Sequence, residues 1–335
     1  MKKVIALVLA VVICLGAGMS LAGCAVSTTG TENRNQGDNA TKQTETAPTV
    51  AVKDEYDVGV CQLMVHDALD QATQGFCDAL KEKMEAAGKQ VNIDVQVAGE
   101  ASLCTTVIQN FKSRNVDLIM GNATPALLTA ANATDTIPVL GTSVTDYNDT
   151  FGGEIPANVS GTSDAVPFDQ QAQMMIDTLG LTAGDKVGVL YCANETNSKI
   201  QYEAVKALFE QEGIVVGEYK FSESTELQSL VGAMASECKA VYVPSDNTVA
   251  QNDDIVGNIC NENKVPVYTS YGGAVCYASL AIDYYQLGVE TGNMAAQILL
   301  GEKTVSEIEV MTLTPSVVYN KELCEMLGIP VPADQ

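Results

Sequence analysis

The chain has no tryptophan, a single histidine, and 18 basic residues against 42 acidic ones over 335 positions. Each shortage closes a class of function. One imidazole, His66, cannot build a histidine-based metal centre. The cysteines show no CxxC and no Cys/His pairing at ligand spacing, so no metal is expected. No GxxxxGK[ST], GxGxxG, HExxH or EF-hand loop occurs, and no cofactor is implied. No Gly-x-Ser-x-Gly elbow accompanies His66 either. An extracellular hydrolase using His66 with Ser143 or Asp67 therefore lacks a carrier for acyl transfer, and the chain reads as a binding protein and not an enzyme. The formal net charge of −24 repels phosphate backbones and anionic headgroups, which excludes nucleic acid as a partner.

Long apolar runs are missing beyond the N-terminus, so no transmembrane helix is expected after it. Residues 1–23 read as a signal peptide: Lys2 and Lys3 precede an apolar core at 4–17 too short to span a bilayer. Leu21-Ala22-Gly23-Cys24 resembles a bacterial lipobox. That resemblance implies cleavage before Cys24, diacylglycerol and palmitate-type acylation there, and an extracytoplasmic product tied to the membrane by lipid alone. Residues 24–53, rich in Thr, Asn, Gln, Ser and Gly, cannot bury enough surface to offset their ordering and read as a flexible tether. Of ten cysteines, Cys14 leaves with the signal and Cys24 carries the lipid. The remaining eight are scattered through strands and helices, so buried free thiols are expected; an oxidising compartment permits bridges, but spacing selects no pairing.

What the chain does contain is a repeated strand–helix unit. Val58, Val60 and Leu63 form an apolar run with little charge, the mark of a parallel strand buried on both faces. From Ala68 the apolar residues Leu69, Ala72, Phe76, Leu80 and Met84 recur at helical spacing, with Asp67 placed to cap the helix and Gly88 after it. Further strands are expected at 91–97, 116–120, 137–140, 159–163, 186–191, 215–220, 240–243, 265–269, 275–282, 305–310 and 316–319. Helices are expected at 101–114, 125–133, 167–179, 197–212, 224–236, 247–263, 285–300 and 321–327, with 147–158 as a loop. This alternation, run twice, predicts two doubly wound, Rossmann-like α/β lobes. Polar residues recur where strands end: Gln62, Thr124, Thr142, Ser163, Asn194, Asp246 and Ser270. Caps and turns use the same side chains. Their recurrence at successive strand ends of both halves predicts a polar cleft between lobes, at the edge where open α/β sheets hold ligands.

The stretches QLMVHDALD (62–70), NATPA (122–126), NVSGTSD (158–164), NETNS (194–198) and SDN (245–247), taken in order, resemble a family of ABC-transporter substrate-binding proteins that includes tryptophan- and tyrosine-binding lipoproteins. The likeness runs from Tyr56 to Gly328. It implies a type I periplasmic-binding fold with a three-segment hinge, crossing near 161–164, near Asp283 and near Glu309. One lobe would comprise 54–162 plus 284–308 and the other 163–283 plus 309–335. It also implies a monomer that captures a small solute by hinge closure and passes it to an ABC permease with its ATPase. The relatives make an aromatic amino acid the leading solute; nucleosides, other aromatic solutes and a sensing ectodomain without a permease remain alternatives. Such a ligand carries a carboxylate, suited to hydroxyls and N–H groups at helix starts: Thr124, Ser143, Ser163, Asn197 and Ser198. Its ammonium suits Asp164, Asp246 or Asp283, although the first two equally suit caps or hinge positions. A ring would need His66, Tyr147, Phe168, Tyr191 or Tyr271. Gln62, Asp70, Thr142, Asn194 and Asn247 complete the candidate set at the strand edges.

Overall fold

A computed structural model describes residues 49–333; the signal segment, Cys24 and most of the tether lie outside the described residues. The first half alternates β1 (Glu55–Gln62), α1 (Asp67–Ala86), β2 (Gln90–Val97), α2 (Ala101–Ser113), β3 (Leu118–Asn122), α3 (Thr124–Ala133), β4 (Val139–Val144), the single turn α4 (Tyr147–Thr150) and β5 (Val159–Ser163). The second alternates α5 (Phe168–Leu179), β6 (Lys186–Cys192), α6 (Thr196–Gln211), β7 (Val215–Phe221), α7 (Leu227–Glu237), β8 (Ala240–Val243), the short α8 (Asn247–Ala250), α9 (Asp253–Glu262), β9 (Val267–Thr269) and β10 (Ala278–Ala281). It closes with α10 (Tyr284–Leu299), β11 (Met311–Thr312), β12 (Ser316–Tyr319) and α11 (Lys321–Leu327).

These strands form two six-stranded sheets, ordered β2-β1-β3-β4-β5-β11 and β7-β6-β8-β9-β10-β12. All pairs are parallel except β10 with β12. Each sheet reverses its winding between its first and third strands, so the strand tips beside β1 and β6 are the switch points where such sheets open a crevice. Burial on both faces explains the apolar runs. Val58 and Val60 pack with Phe76, Leu80 and Leu299 on one side of the first sheet, while Cys61 and Leu63 pack with Ile108 and Phe111 on the other. The chain passes between the sheets at 164–167, 282–283 and 313–315.

Helix α10 returns to the first sheet and lies against α1 at backbone contact. A Cβ on Gly288 would stand 2.0 Å from the Ala72 carbonyl oxygen, and one on Gly75 2.1 Å from that of Tyr285. The eight described cysteines are all buried free thiols. Among the described residues no helix is long and apolar enough to cross a membrane.

Local departures from the expected pattern have physical causes. His66, with extended backbone and no capping side-chain bond, takes the N-cap of α1, and Asp67 becomes its first residue. The expected strand at 305–310 is a 3-10 turn, Val305–Glu307, because Thr304 and Glu307 close a capping box on each other; strand pairing beside β5 begins only at Met311. A second capping box, Glu223 with Glu226, makes a 3-10 turn of 224–226, so α7 starts at Leu227 and not at Ser224. The helix expected through 247–263 is two helices, and 275–282 pairs only over Ala278–Ala281.

Candidate ligand site between the lobes

The carboxyl ends of the two sheets face each other across a small cavity. From the first sheet come His66 and Leu69 at the start of α1, Ser143 at the end of β4, and Asp164 just past β5. From the second come Asn197 in the first turn of α6, Ser245, Asp246, Asn247 and Ala250 after β8, and Tyr271 after β9; Tyr284 adds its ring from the start of α10. The space left among them is about 10 Å³, scarcely one water molecule. Two hydrogen bonds join the lobes directly, His66 Nε2 with Asn247 Oδ1 at 3.2 Å in the cavity wall and Gln201 Nε2 to Thr145 Oγ1 at 3.3 Å behind it. The lobes are closed on each other.

Outside this cavity lies a cleft of about 870 Å³, with Asp67, Asp70, Asp253, Asp254 and Asp283 in its walls. Neither lining contains a lysine or arginine.

The buried acids are anchored by donors within the protein. Asp246 caps α8, accepting the Val249 N–H at 2.9 Å and the Cys192 N–H at 2.7 Å. Burial, and then the nearby Glu195 carboxylate, push its pKa well above the ordinary carboxylate range. Glu195 accepts five bonds, four from the backbone and side chains of Asn247 and Thr248 and one from Asn197 Nδ2. Asp164 accepts the Tyr284 hydroxyl at 2.9 Å and Thr145 Oγ1 at 3.1 Å, and its pKa too is raised by burial. Burial lowers the pKa of His66, which keeps the imidazole neutral at pH 7. Two buried polar atoms at this cavity have no partner, Ser143 Oγ and Asn197 Oδ1. Ser143 holds a left-handed backbone, φ 56°, uncommon for a residue with a Cβ.

The expected candidates thus divide. His66, Ser143, Asp164, Asn197, Asp246, Asn247 and Tyr271 come together around the cavity. Ser198 stands behind them, fully buried, its hydroxyl accepting from the Asn197 amide at 3.4 Å. The others do not reach it. Gln62 spends its amide on Met64 O, Asp70 and Thr73, so Gln62 and Asp70 tie α1 to β1. Thr142 bonds Thr162 inside the sheet, and Ser163 clasps Thr145 O at the first crossing. Thr124 is buried at the start of α3, outside the lining. Asn194 reaches Ser222 O on the exterior, and Asp283 caps α10 from the outer cleft. Of the rings considered, Tyr191 stacks on Tyr202 in the second core, Tyr147 lies in the first, and Phe168 packs against the second. Leu69, Tyr284 and Glu195 were not foreseen. Leu69 reads only as part of a helix's apolar face, whereas Tyr284 follows the expected crossing at Asp283 and Glu195 lies within NETNS.

A family model described as ABC transporter substrate binding protein matches residues 57–334. A tyrosine-binding protein of Clostridioides difficile (strain R20291) is 33% identical over 337 residues, spanning 98% of this chain and 93% of the relative. The structure of an ABC domain in complex with L-Trp from Streptococcus pneumonia is 32% identical, with a TM-score of 0.76 over 84% of this chain and 97% of that one. The ligand-free, open structure of a substrate-binding protein from Clostridium difficile is 33% identical over the same shares, with a TM-score of 0.63. The higher score against the complex accords with the shut cavity.

Proposed function

The chain belongs to the family of ABC transporter substrate-binding proteins, and from that premise we propose that it binds an aromatic amino acid in the cavity between its lobes. The observation that carries this reading is the pair of buried, unpartnered atoms at the cavity, Ser143 Oγ and Asn197 Oδ1. A buried polar group left unbonded costs about 1–3 kcal/mol, so a ligand that completes both is favoured by that amount for each atom over one that completes neither. The Ser143 hydroxyl donates to a carboxylate; Asn197 Oδ1 accepts from an ammonium, with Asp246 and Asp164 supplying the counter-charge. Tyr271, Tyr284 and Leu69 offer the apolar surface for a ring. Entry requires the lobes to part, breaking the His66–Asn247 contact, and they close on the guest less tightly than on each other, because the about 10 Å³ left in this shut state does not hold a ring. In this reading the chain is the extracytoplasmic, lipid-anchored receptor of an importer: Cys24 holds it to the membrane, and a permease with its ATPase receives the solute.

The absence of tryptophan supplies the test. Bound L-tryptophan is the sole indole in the complex, so exciting tyrosine is expected to give sensitised, blue-shifted indole emission that saturates at one equivalent, with L-tyrosine competing for the site. An emission spectrum equal to that of free tryptophan, together with no calorimetric heat for L-tyrosine, sinks the proposal.

A further inference from the structure

The charge around this site is one-sided in a way that an electrically neutral amino acid does not call for. The outer cleft presents Asp67, Asp70, Asp253, Asp254 and Asp283, and the inner cavity Asp164 and Asp246, with no lysine or arginine in either lining. His66, the one nitrogen base among them, is kept neutral by burial. An independent atom asks for the same partner. Asn197 is 4% exposed, its amide N–H group donates to Ser245 O at 2.6 Å, and its Oδ1, which can only accept, has no donor. Against these acceptors, the cavity offers an anion one unpartnered hydroxyl, that of Ser143.

We propose that the ligand's ammonium is the obligatory group and its carboxylate a dispensable one, so that aromatic monoamines, cations lacking any carboxylate, are ligands of this same site. The inference rests on the aromatic reading for the ring alone. A monocation is drawn in by the cleft's field, whereas a zwitterion has no net charge for that field to act on. Inside, the ammonium neutralises carboxylates that the protein leaves without a cation, while a carboxylate adds one more negative charge to a shut, water-poor space.

Three molecules sharing one ring separate the groups: tyramine, L-tyrosine and 3-(4-hydroxyphenyl)propionate, titrated calorimetrically into the purified protein. Tyramine is expected to bind within about tenfold of L-tyrosine, and the propionate more than about tenfold below tyramine. In stopped flow, raising NaCl from about 20 to about 500 mM is expected to slow tyramine association severalfold and leave that of L-tyrosine nearly unchanged. Replacing the exposed cleft acids, Asp67→Asn with Asp254→Asn, is expected to remove part of that salt dependence without changing the tyramine dissociation rate. L-tyrosine binding with tyramine more than tenfold weaker, or a propionate as tight as tyramine, overturns the inference and leaves the amino-acid reading standing. Tyramine binding without L-tyrosine upholds the inference and removes that reading, and silence from all three removes both.

Discussion

Asp246 has both carboxylate oxygens engaged by backbone N–H groups, yet no cation reaches it, and Glu195 lies close enough to repel it. Burial therefore favours its protonated form above the pH at which an ordinary aspartate ionises. An arriving ammonium reverses that preference, so ligand binding below the raised pKa releases a proton, and affinity climbs with pH across that interval. Calorimetry in buffers of different ionisation enthalpy is expected to show buffer-dependent heats at pH 6.5–7 that vanish in Asp246→Asn; equal heats in every buffer refute the assignment. The acid was readable in the sequence as a polar residue after a strand. Its neighbours were less so, because side chains of one chemical type do different work at adjacent strand tips. Gln62 is consumed by Thr73, Asp70 and Met64, and Thr142 by Thr162, through contacts set by helix packing. Glu195 escaped notice because four of its five donors come from Asn247 and Thr248, beyond a strand, two helices and β8.

At the level of elements, α1 and α10 touch through glycine. Adding one methyl at Gly288, 2.0 Å from the Ala72 carbonyl oxygen, forces the helices apart. Gly288→Ala is expected to cost about 2–3 kcal/mol and lower Tm by about 5–10 °C, measured by calorimetry, while Gly232→Ala, with open space at its Cβ, stays at or above the parent Tm. Equal melting of the two variants would contradict this packing. Strands and helices were legible almost throughout, since parallel strands buried on both faces leave uninterrupted apolar runs and helices leave a 3.6-residue rhythm. What stayed hidden were the places where a local side-chain bond outweighs the rhythm: the Thr304–Glu307 and Glu223–Glu226 boxes.

Over the whole molecule, the shut state rests on few direct bonds between the lobes, His66 to Asn247 and Thr145 to Gln201. His66→Ala deletes one of them at a partly exposed position. In small-angle scattering the empty variant is expected to have a larger radius of gyration than the empty parent, with the difference closing at saturating L-tyrosine; identical empty curves would show that this contact does not hold the lobes together. The paired sheets and their polar crevice could be foreseen from alternation alone, whereas how tightly they meet depends on angles at 164–167, 282–283 and 313–315 that no residue pattern encodes. Those crossings carry another consequence. The groove of α1 that receives Gly288 and Gly292 is filled by a helix arriving only after the entire second sheet but its last strand has been made. A polypeptide severed at 283 therefore keeps a bare apolar furrow with no cover, and neither lobe is heritable as a fragment: the molecule reaches its shape late and all together.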